Sequence, residues 1–167
     1  MFKNLFKKSN TVDKIEKSSY LIAPVEGKII NIEEVDDEMF SSKALGDGIA
    51  IEPEGEIIVA PANCKVISAS EKMKHAIGLQ LYNDMEVLIH IGIDTVSMNG
   101  DGFELLIKQD AIVKEGTPLV RFNKEKILKN GCKTTVLMIV TNLAKCEELV
   151  YEREGTSSSK KEIVSWL

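Results

Sequence analysis

Histidine is scarce in this chain: among 167 residues there are two, His75 and His90. Tryptophan occurs once, aromatic residues make up 5%, and the three cysteines (Cys64, Cys132, Cys146) are an odd, widely spaced set with no C-x-x-C pair. Each shortage excludes something. So few aromatics supply no stacking platform for bases, and a formal net charge of -5 offers no basic field to a phosphate backbone, so no nucleic-acid partner is expected. The cysteine pattern argues against a disulfide framework and a structural zinc site, and fits a reducing cytoplasm. No run approaches the ~20 apolar residues that span a bilayer. The N-terminus lacks the apolar core and small-residue cleavage site of a secretory signal. There is no P-loop and no glycine-rich nucleotide fingerprint.

What is present is ordinary for one soluble domain: 44% hydrophobic and 28% charged residues, with length enough for a proper core. An acidic surface suits a basic protein partner. Residues 1–19 read as a polar arm preceding the domain at 20–167. In the arm, Phe2, Leu5 and Phe6 lie at helical spacing beside Lys3, Lys7 and Lys8. Two readings stay open: a short amphipathic helix on an anionic membrane surface through residues 1–8, or a frayed solubilising tail.

From Tyr20 onward short apolar runs recur between Gly, Pro, Asn and Asp punctuation: YLIAPVEG, KIINIEEV, GIAIEPEG, EIIVAPAN and KVISAS. Their alternation is the strand period. Phe103 to Lys108 reads as a short turn of helix, and Lys124 to Asn130 and Leu143 to Leu149 as weak helical candidates. An internal echo relates Ala23-Pro24-Val25-Glu26-Gly27-Lys28-Ile29-Ile30 to Ala60-Pro61-Ala62-Asn63-Cys64-Lys65-Val66-Ile67. Two copies are too few for a solenoid. The expectation is an all-β, antiparallel sandwich or barrel-like fold with pseudo-symmetric halves and one or two short helices.

The two histidines bracket a predicted hairpin. If Asn83-Asp84 forms a two-residue turn, Tyr82 faces Met85, His75 faces Gly92, Ile77 faces His90 and Leu79 faces Leu88. All six of the outer residues then share one face, with the imidazoles as diagonal neighbours. Gly92 leaves a gap opposite His75, and Asp94 lies one step beyond. A three-residue loop would shift this register.

The bland reading of a strand histidine is a satisfied core residue. The only two in the chain, on one face beside a glycine and an aspartate, favour chemistry instead. Two ligands and a distant carboxylate make a poor metal site, and no serine or cysteine nucleophile stands beside them. No metal and no cofactor is expected. An imidazole nucleophile with a second imidazole as hydrogen-bond donor or positive charge suits phosphoryl transfer. An apolar rim including Ile77, Leu79 and Leu88 would keep water from a labile P–N bond.

VLIHIGIDTV, followed by Gly100-Asp101-Gly102-Phe103 and taken with Gly46-Asp47-Gly48-Ile49-Ala50-Ile51 and His75-Ala76, resembles the glucose-family EIIA component of the bacterial sugar phosphotransferase system. The resemblance implies an antiparallel β-sandwich that takes a phosphoryl group from the carrier HPr and passes it to a cysteine on EIIB during sugar uptake. It implies His90 as the phosphorylated nucleophile and His75 as the phosphate-stabilising partner, with Asp94 shaping the partner-binding rim, to which the hairpin reading adds Gly92, Ile77 and Leu88. A cytoplasmic protein is expected from the cysteine usage, peripheral at the inner membrane face if residues 1–8 form the amphipathic helix. Two departures stand out. The family's threonine two residues before the first histidine, whose hydroxyl helps to hold that ring, is Met73 here. The end, GTSSSKKEIVSWL, lacks the usual glycine-containing final turn and strand.

Two alternatives compete with this reading. The A-P units, VKEGTPLV and EKMK faintly resemble biotinyl or lipoyl-type carrier domains. Those present a lysine between two methionines, whereas here Met73 sits between Lys72 and Lys74. The other is a regulatory protein that binds its targets according to phosphorylation state, a role that can coexist with transfer.

Overall fold

The computed structural model describes residues 15–142, 148–158 and 161–166. The alternating runs fold as strands. The first seven are β1 (Tyr20–Ile22), β2 (Gly27–Asn31), β3 (Asp47–Pro53), β4 (Ile57–Val59), β5 (Cys64–Ser68), β6 (Ala76–Gln80) and β7 (Glu86–Ile93). Then come β8 (Phe103–Leu105), β9 (Ile112–Val113), β10 (Pro118–Phe122), β11 (Lys133–Val140), β12 (Val150–Tyr151), β13 (Gly155–Ser157) and β14 (Glu162–Ser165). They form an eight-stranded sheet ordered β13-β2-β3-β11-β7-β6-β5-β9 and two three-stranded sheets, β1-β14-β12 and β4-β10-β8. The pairings are antiparallel. This is the expected all-β sandwich.

The expected pseudo-symmetry is present in the strand order. From its two ends the large sheet runs β13-β2-β3-β11 and β9-β5-β6-β7, and the small sheets match as β1-β14-β12 and β4-β10-β8. The echoed A-P units sit where the halves meet. Ile22 N–H donates to the Pro61 carbonyl at 2.8 Å and Val59 N–H to the Pro24 carbonyl at 2.9 Å. Each proline is thus clasped by the residue two before the other. Ala23 and Ala60 extend the likeness, donating to the Lys161 and Thr117 carbonyls at 3.0 and 2.9 Å.

One face of the large sheet packs against the small sheets. Ile49, Ile51, Ile58, Ile77, Leu79, Ile89, Val120 and Val136 are all fully buried there. Each such side chain contributes roughly 1.5–3 kcal/mol relative to exposure. The other face carries a smaller cluster of Ile32, Phe40, Ile93, Leu137 and Ile139, with Val35 and Leu88 against it. The connection from β2 to β3 supplies its cover: a 3-10 turn at Ile32–Glu34, then the one-turn helix α1 (Glu38–Ser41). Asp37 caps α1 by accepting from Met39 N–H at 2.9 Å, and Phe40 points its ring down onto the sheet side.

The second helix, α2 (Lys124–Lys129), lies where the sequence placed it, with Asn123 accepting from Lys126 N–H at 2.9 Å. The helical turn expected at Phe103 to Lys108 does not form. Phe103 to Leu105 is strand, pairing Phe103 with Phe122 and Leu105 with Val120, and buried Phe103 followed by exposed Glu104 is the strand period. The candidate at Leu143 to Leu149 falls mostly on residues 143–147, outside the described residues, as does Cys146. The unusual C-terminal end does make a final strand: β14 is the centre of its sheet, between β1 and β12. Of the N-terminal stretch, residues 1–14 lie outside the described residues. Ile15 is buried, and the Lys17 ammonium stands 6.0 Å from the Tyr82 ring centre.

Candidate functional site

The β6–β7 hairpin carries both histidines, and its register differs from expectation by one residue. The ladder pairs Ala76 with His90, Ile77 with Ile89, Gly78 with Leu88, Leu79 with Val87 and Gln80 with Glu86. The loop therefore has three residues, Tyr82 to Asp84, not two. Leu81 accepts from Asp84 N–H at 3.1 Å and donates to the Met85 carbonyl at 2.9 Å. Asp84 takes φ 63°, the left-handed residue that closes a three-residue hairpin. Asn83 Oδ1 accepts from Met85 N–H at 3.2 Å. Asn142 holds the loop from outside, taking Glu86 N–H at 2.8 Å and donating to the Asp84 carbonyl at 2.7 Å.

A one-residue slip changes which side chains share a face. Ile77 does not accompany His90. It is fully buried in the main core with Leu79, Val87 and Ile89, and so cannot form part of an exposed rim. Leu88 does share the His90 side and packs against the Phe40 cluster. The histidines meet nonetheless, because His75 lies one residue before β6, in the turn where Ala76 N–H donates to the Met73 carbonyl at 3.1 Å. Strand alternation does not bind it there. The two imidazole centres are 5.0 Å apart, edge to face at 79°.

His90 is half-buried, His75 almost wholly so. Phe40 packs at 5.0 Å from the His90 ring and Phe103 at 6.3 Å from the His75 ring. His90 Nδ1 lies 2.8 Å from the Gly92 carbonyl oxygen. A carbonyl only accepts, so Nδ1 carries the proton and Nε2 keeps its lone pair. Burial first, and then the neighbouring His75, pull the His90 pKa from 6.5 down to about 4 against the opposing Gly92 carbonyl and Asp37 charge. The ring is therefore neutral, and its Nε2 nucleophilic, across the physiological range. Burial also lowers the His75 pKa. His75 Nδ1 is buried without a hydrogen-bond partner. The Met73 backbone makes the preceding turn, while its side chain is exposed.

Gly92 has a different part from the gap expected of it. Its φ is +82°, and a Cβ there would lie 2.3 Å from Thr95 Cγ2 and 2.7 Å from the Lys133 carbonyl oxygen. Only glycine fits, and the bend brings its carbonyl back to the ring two residues earlier. The β7–β11 register shifts at the same point, from Ile91–Val136 to Ile93–Lys133, a bulge of the kind that re-aims side chains. The shift also moves Ile93 out of the Val87, Ile89, Ile91 row and into the Phe40 cluster. Asp94, at φ 63°, has an exposed side chain at the start of the 3-10 turn Thr95–Met98.

Sequence reasoning missed Phe40, Phe103 and Thr95. A signal existed for Phe40: Asp37 before Glu38-Met39-Phe40 is a helix N-cap with an acidic first turn. Among the described residues no cluster of three or more His, Cys, Asp or Glu could hold a metal ion, and no helix is long and apolar enough to cross a membrane.

An antiparallel sandwich with paired imidazoles on the outer face of its large sheet places the chain among the EIIA components of sugar phosphotransferase systems. Residues 19–146 match the family described as phosphoenolpyruvate-dependent sugar phosphotransferase system, EIIA 1. The PTS system glucose-specific EIIA component of Staphylococcus epidermidis is 40% identical over 153 residues, 91% of this chain and 89% of that protein. Its counterpart from Staphylococcus aureus is 37% identical over 166 residues, 98% and 97% of the two chains. Among solved structures, the glucose permease IIA from Mycoplasma capricolum superposes with a TM-score of 0.79 at 34% identity, over 89% of this chain and 96% of that one. The chain belongs to this EIIA family and is a phosphotransferase component. The biotinyl-carrier reading is not favoured, and Lys74, one of its two lysines, is paired with Glu71 at 2.8 Å.

Proposed function

We propose that His90 accepts a phosphoryl group on Nε2 from phospho-HPr and hands it to a cysteine of an EIIB domain, with His75 stabilising the phosphate during hand-over. One observation carries the reading: His90 is held by the Gly92 carbonyl so that Nε2 is left bare, in ring contact with a second buried imidazole. The Nε2 lone pair attacks phosphorus as the donor ring's P–N bond breaks. On hand-over to EIIB, the spread negative charge of the transition state meets the His75 ring. The Phe40 and Leu88 side chains shield the new P–N bond from water. Asp94 belongs to the partner-facing rim, extended by exposed Met39, Met73 and Val96, which neighbour Phe40, His75 and Asp94 in sequence.

The test is phosphorylation with purified enzyme I, HPr and phosphoenolpyruvate, followed by mapping. The expected product carries one acid-labile phosphate on His90; a phosphate mapped elsewhere would overturn the assignment. The relatives' glucose-specific names make glucose the first sugar to assay with an EIIB–EIIC partner. The reading places the protein in the cytoplasm, with residues 1–14 as the arm that touches the inner membrane face and Ile15 onward in the body. Because Ile15 is buried, the deletion that separates arm from body ends at residue 14. It is expected to spare transfer from HPr and weaken binding to anionic liposomes.

A further inference from the structure

We infer that Thr95 is the positioning residue that sets the tautomer of His90, acting through the Ile91–Gly92 peptide. The inference rests on the reading of His90 as phosphate acceptor, and it assigns a task to a side chain that touches neither ring.

Thr95 is a fully buried polar residue, and its hydroxyl donates to the Ile91 carbonyl at 2.6 Å. Its methyl lies against the face of Gly92 where a Cβ would come within 2.3 Å of it. One side chain thus grips the bulge from both sides of Gly92. The grip matters because the β7–β11 ladder slips here, so regular sheet pairing does not fix this peptide's orientation. Three bonds converge on the same two residues. Ile91 N–H donates to the His75 carbonyl at 2.7 Å, the Ile91 carbonyl takes the Thr95 hydroxyl, and the Gly92 carbonyl takes the His90 Nδ1 proton at 2.8 Å. Thr95 therefore anchors the backbone segment from which both imidazoles are held. Without the hydroxyl the Ile91–Gly92 peptide is released, the left-handed Gly92 backbone relaxes, the next peptide carries the Gly92 carbonyl away from His90 Nδ1, and the ring proton redistributes onto Nε2. A proton on Nε2 blocks attack.

The experiment compares Thr95→Val, which keeps shape without the hydroxyl, with Thr95→Ser, which keeps the hydroxyl without the methyl. Ring ¹⁵N shifts of unphosphorylated protein report the His90 tautomer, and rapid quench with phospho-HPr reports the acceptance rate. The valine variant is expected to show a mixed tautomer and acceptance slowed about tenfold, the equivalent of one ordinary hydrogen bond. The serine variant is expected to keep the Nδ1–H tautomer and a rate within about twofold of the parent. A valine variant with the parent tautomer and rate would overturn the inference, leaving Thr95 a packing residue. So would a serine variant that loses both, and this second comparison stands even if the valine variant fails to fold. The tautomer is read before any phosphate is present, so failure of the phosphorylation-site reading is separable: it would appear as phosphate mapped away from His90 in the parent protein.

Discussion

The two halves of the sandwich offer equivalent places for a side-chain pair, and only one of them holds the histidines of the proposed chemistry. The registers give the correspondence. Lys28 faces Glu52 as Lys65 faces Gln80, and Ile51 faces Val136 as Leu79 faces Val87. Three residues beyond Val87 is His90; three beyond Val136 is Ile139. Their ladder partners are Ala76 and Gly48, preceded by His75 and Asp47. Where one half sets two imidazoles together, the other has an isoleucine and an aspartate. That aspartate is fully occupied. Arg153 donates to its two carboxylate oxygens at 2.9 and 2.7 Å and to the Gly48 carbonyl at 3.0 Å. Asp47 also accepts from Gly48 N–H at 2.8 Å. The symmetric fold supplies the location, whereas the proposed reactivity comes from leaving one nitrogen bare, Nε2 of His90, with its Nδ1 held on the Gly92 carbonyl.

The severest way to break the comparison is to remove the acceptor. His90→Gln is expected to abolish phosphate uptake from HPr, while Ile139→Val, at the equivalent position, costs about 0.5–1.5 kcal/mol of stability and leaves uptake intact. Labelling by phospho-HPr and a urea melt of each variant check this, and normal labelling of His90→Gln would sink the assignment. Next in size is His75→Gln. Acceptance should survive, but transfer to EIIB should fall about 10²–10³-fold, the usual cost of a missing transition-state donor. Unimpaired hand-over would make the second ring structural.

How much of this was legible follows from where the physics is local. The echo A-P-x-x-x-K-[IV]-I announced the duplicated architecture, because each copy specifies its own turn and strand. The histidine pairing was legible too, although a two-residue turn places the strand register one residue away from the one the hairpin adopts. That register turns on whether Asp84 adopts a left-handed conformation, and Asn83-Asp84 suits two- and three-residue loops alike. Asn142, 58 residues from Asp84, helps to decide it, and no local pattern carries that information. Ile77 consequently went to the wrong face, while His75 came through because it precedes the strand. The Gly92 bulge was hidden for a related reason: a glycine in a strand signals a bulge or a close approach without saying which carbonyl it will aim.

Acid separates the halves by a third, smaller effect. The folded His90 titrates near 4 instead of 6.5, so as pH falls through this window the unfolded chain binds the proton first and stability declines. Asp47 behaves oppositely in origin and lower in range. Burial raises its pKa, but the Arg153 hydrogen bond, the Gly48 N–H and the Arg153 and Lys43 charges together hold it below 3.8. Its contribution is present above that value and is lost as pH drops through the depressed one. His90→Gln is therefore expected to flatten the stability profile between pH 6.5 and 4, and Asp47→Asn to flatten it below about 4. At neutral pH Asp47→Asn should cost about 1–3 kcal/mol, for breaking a partly buried charged pair, with phosphate uptake unchanged. Thermal midpoints across the pH range check both slopes; an identical loss of slope in the two variants would contradict the division.

The finest adjustment tests how firmly the second ring is held. His75 is fixed by packing against Phe103 and His90 and by its backbone carbonyl on Ile91 N–H, but its Nδ1 has no partner. An unmet acceptor in a buried site costs free energy and leaves the ring's rotation about its last torsion to sterics alone. Met73→Thr places a hydroxyl at the position from which EIIA relatives hold this ring. A bond formed there should stabilise the protein by about 0.5–1.5 kcal/mol. It should also speed hand-over to EIIB a few-fold, because a pre-oriented donor needs less reorganisation as charge develops on the phosphate. Acceptance from HPr, which depends first on the His90 lone pair, should change less. Single-turnover rates for the two half-reactions distinguish these effects. A gain in stability with no gain in hand-over would mean that Phe103 and His90 already align the ring, and that the bare nitrogen is tolerated at no cost to the chemistry.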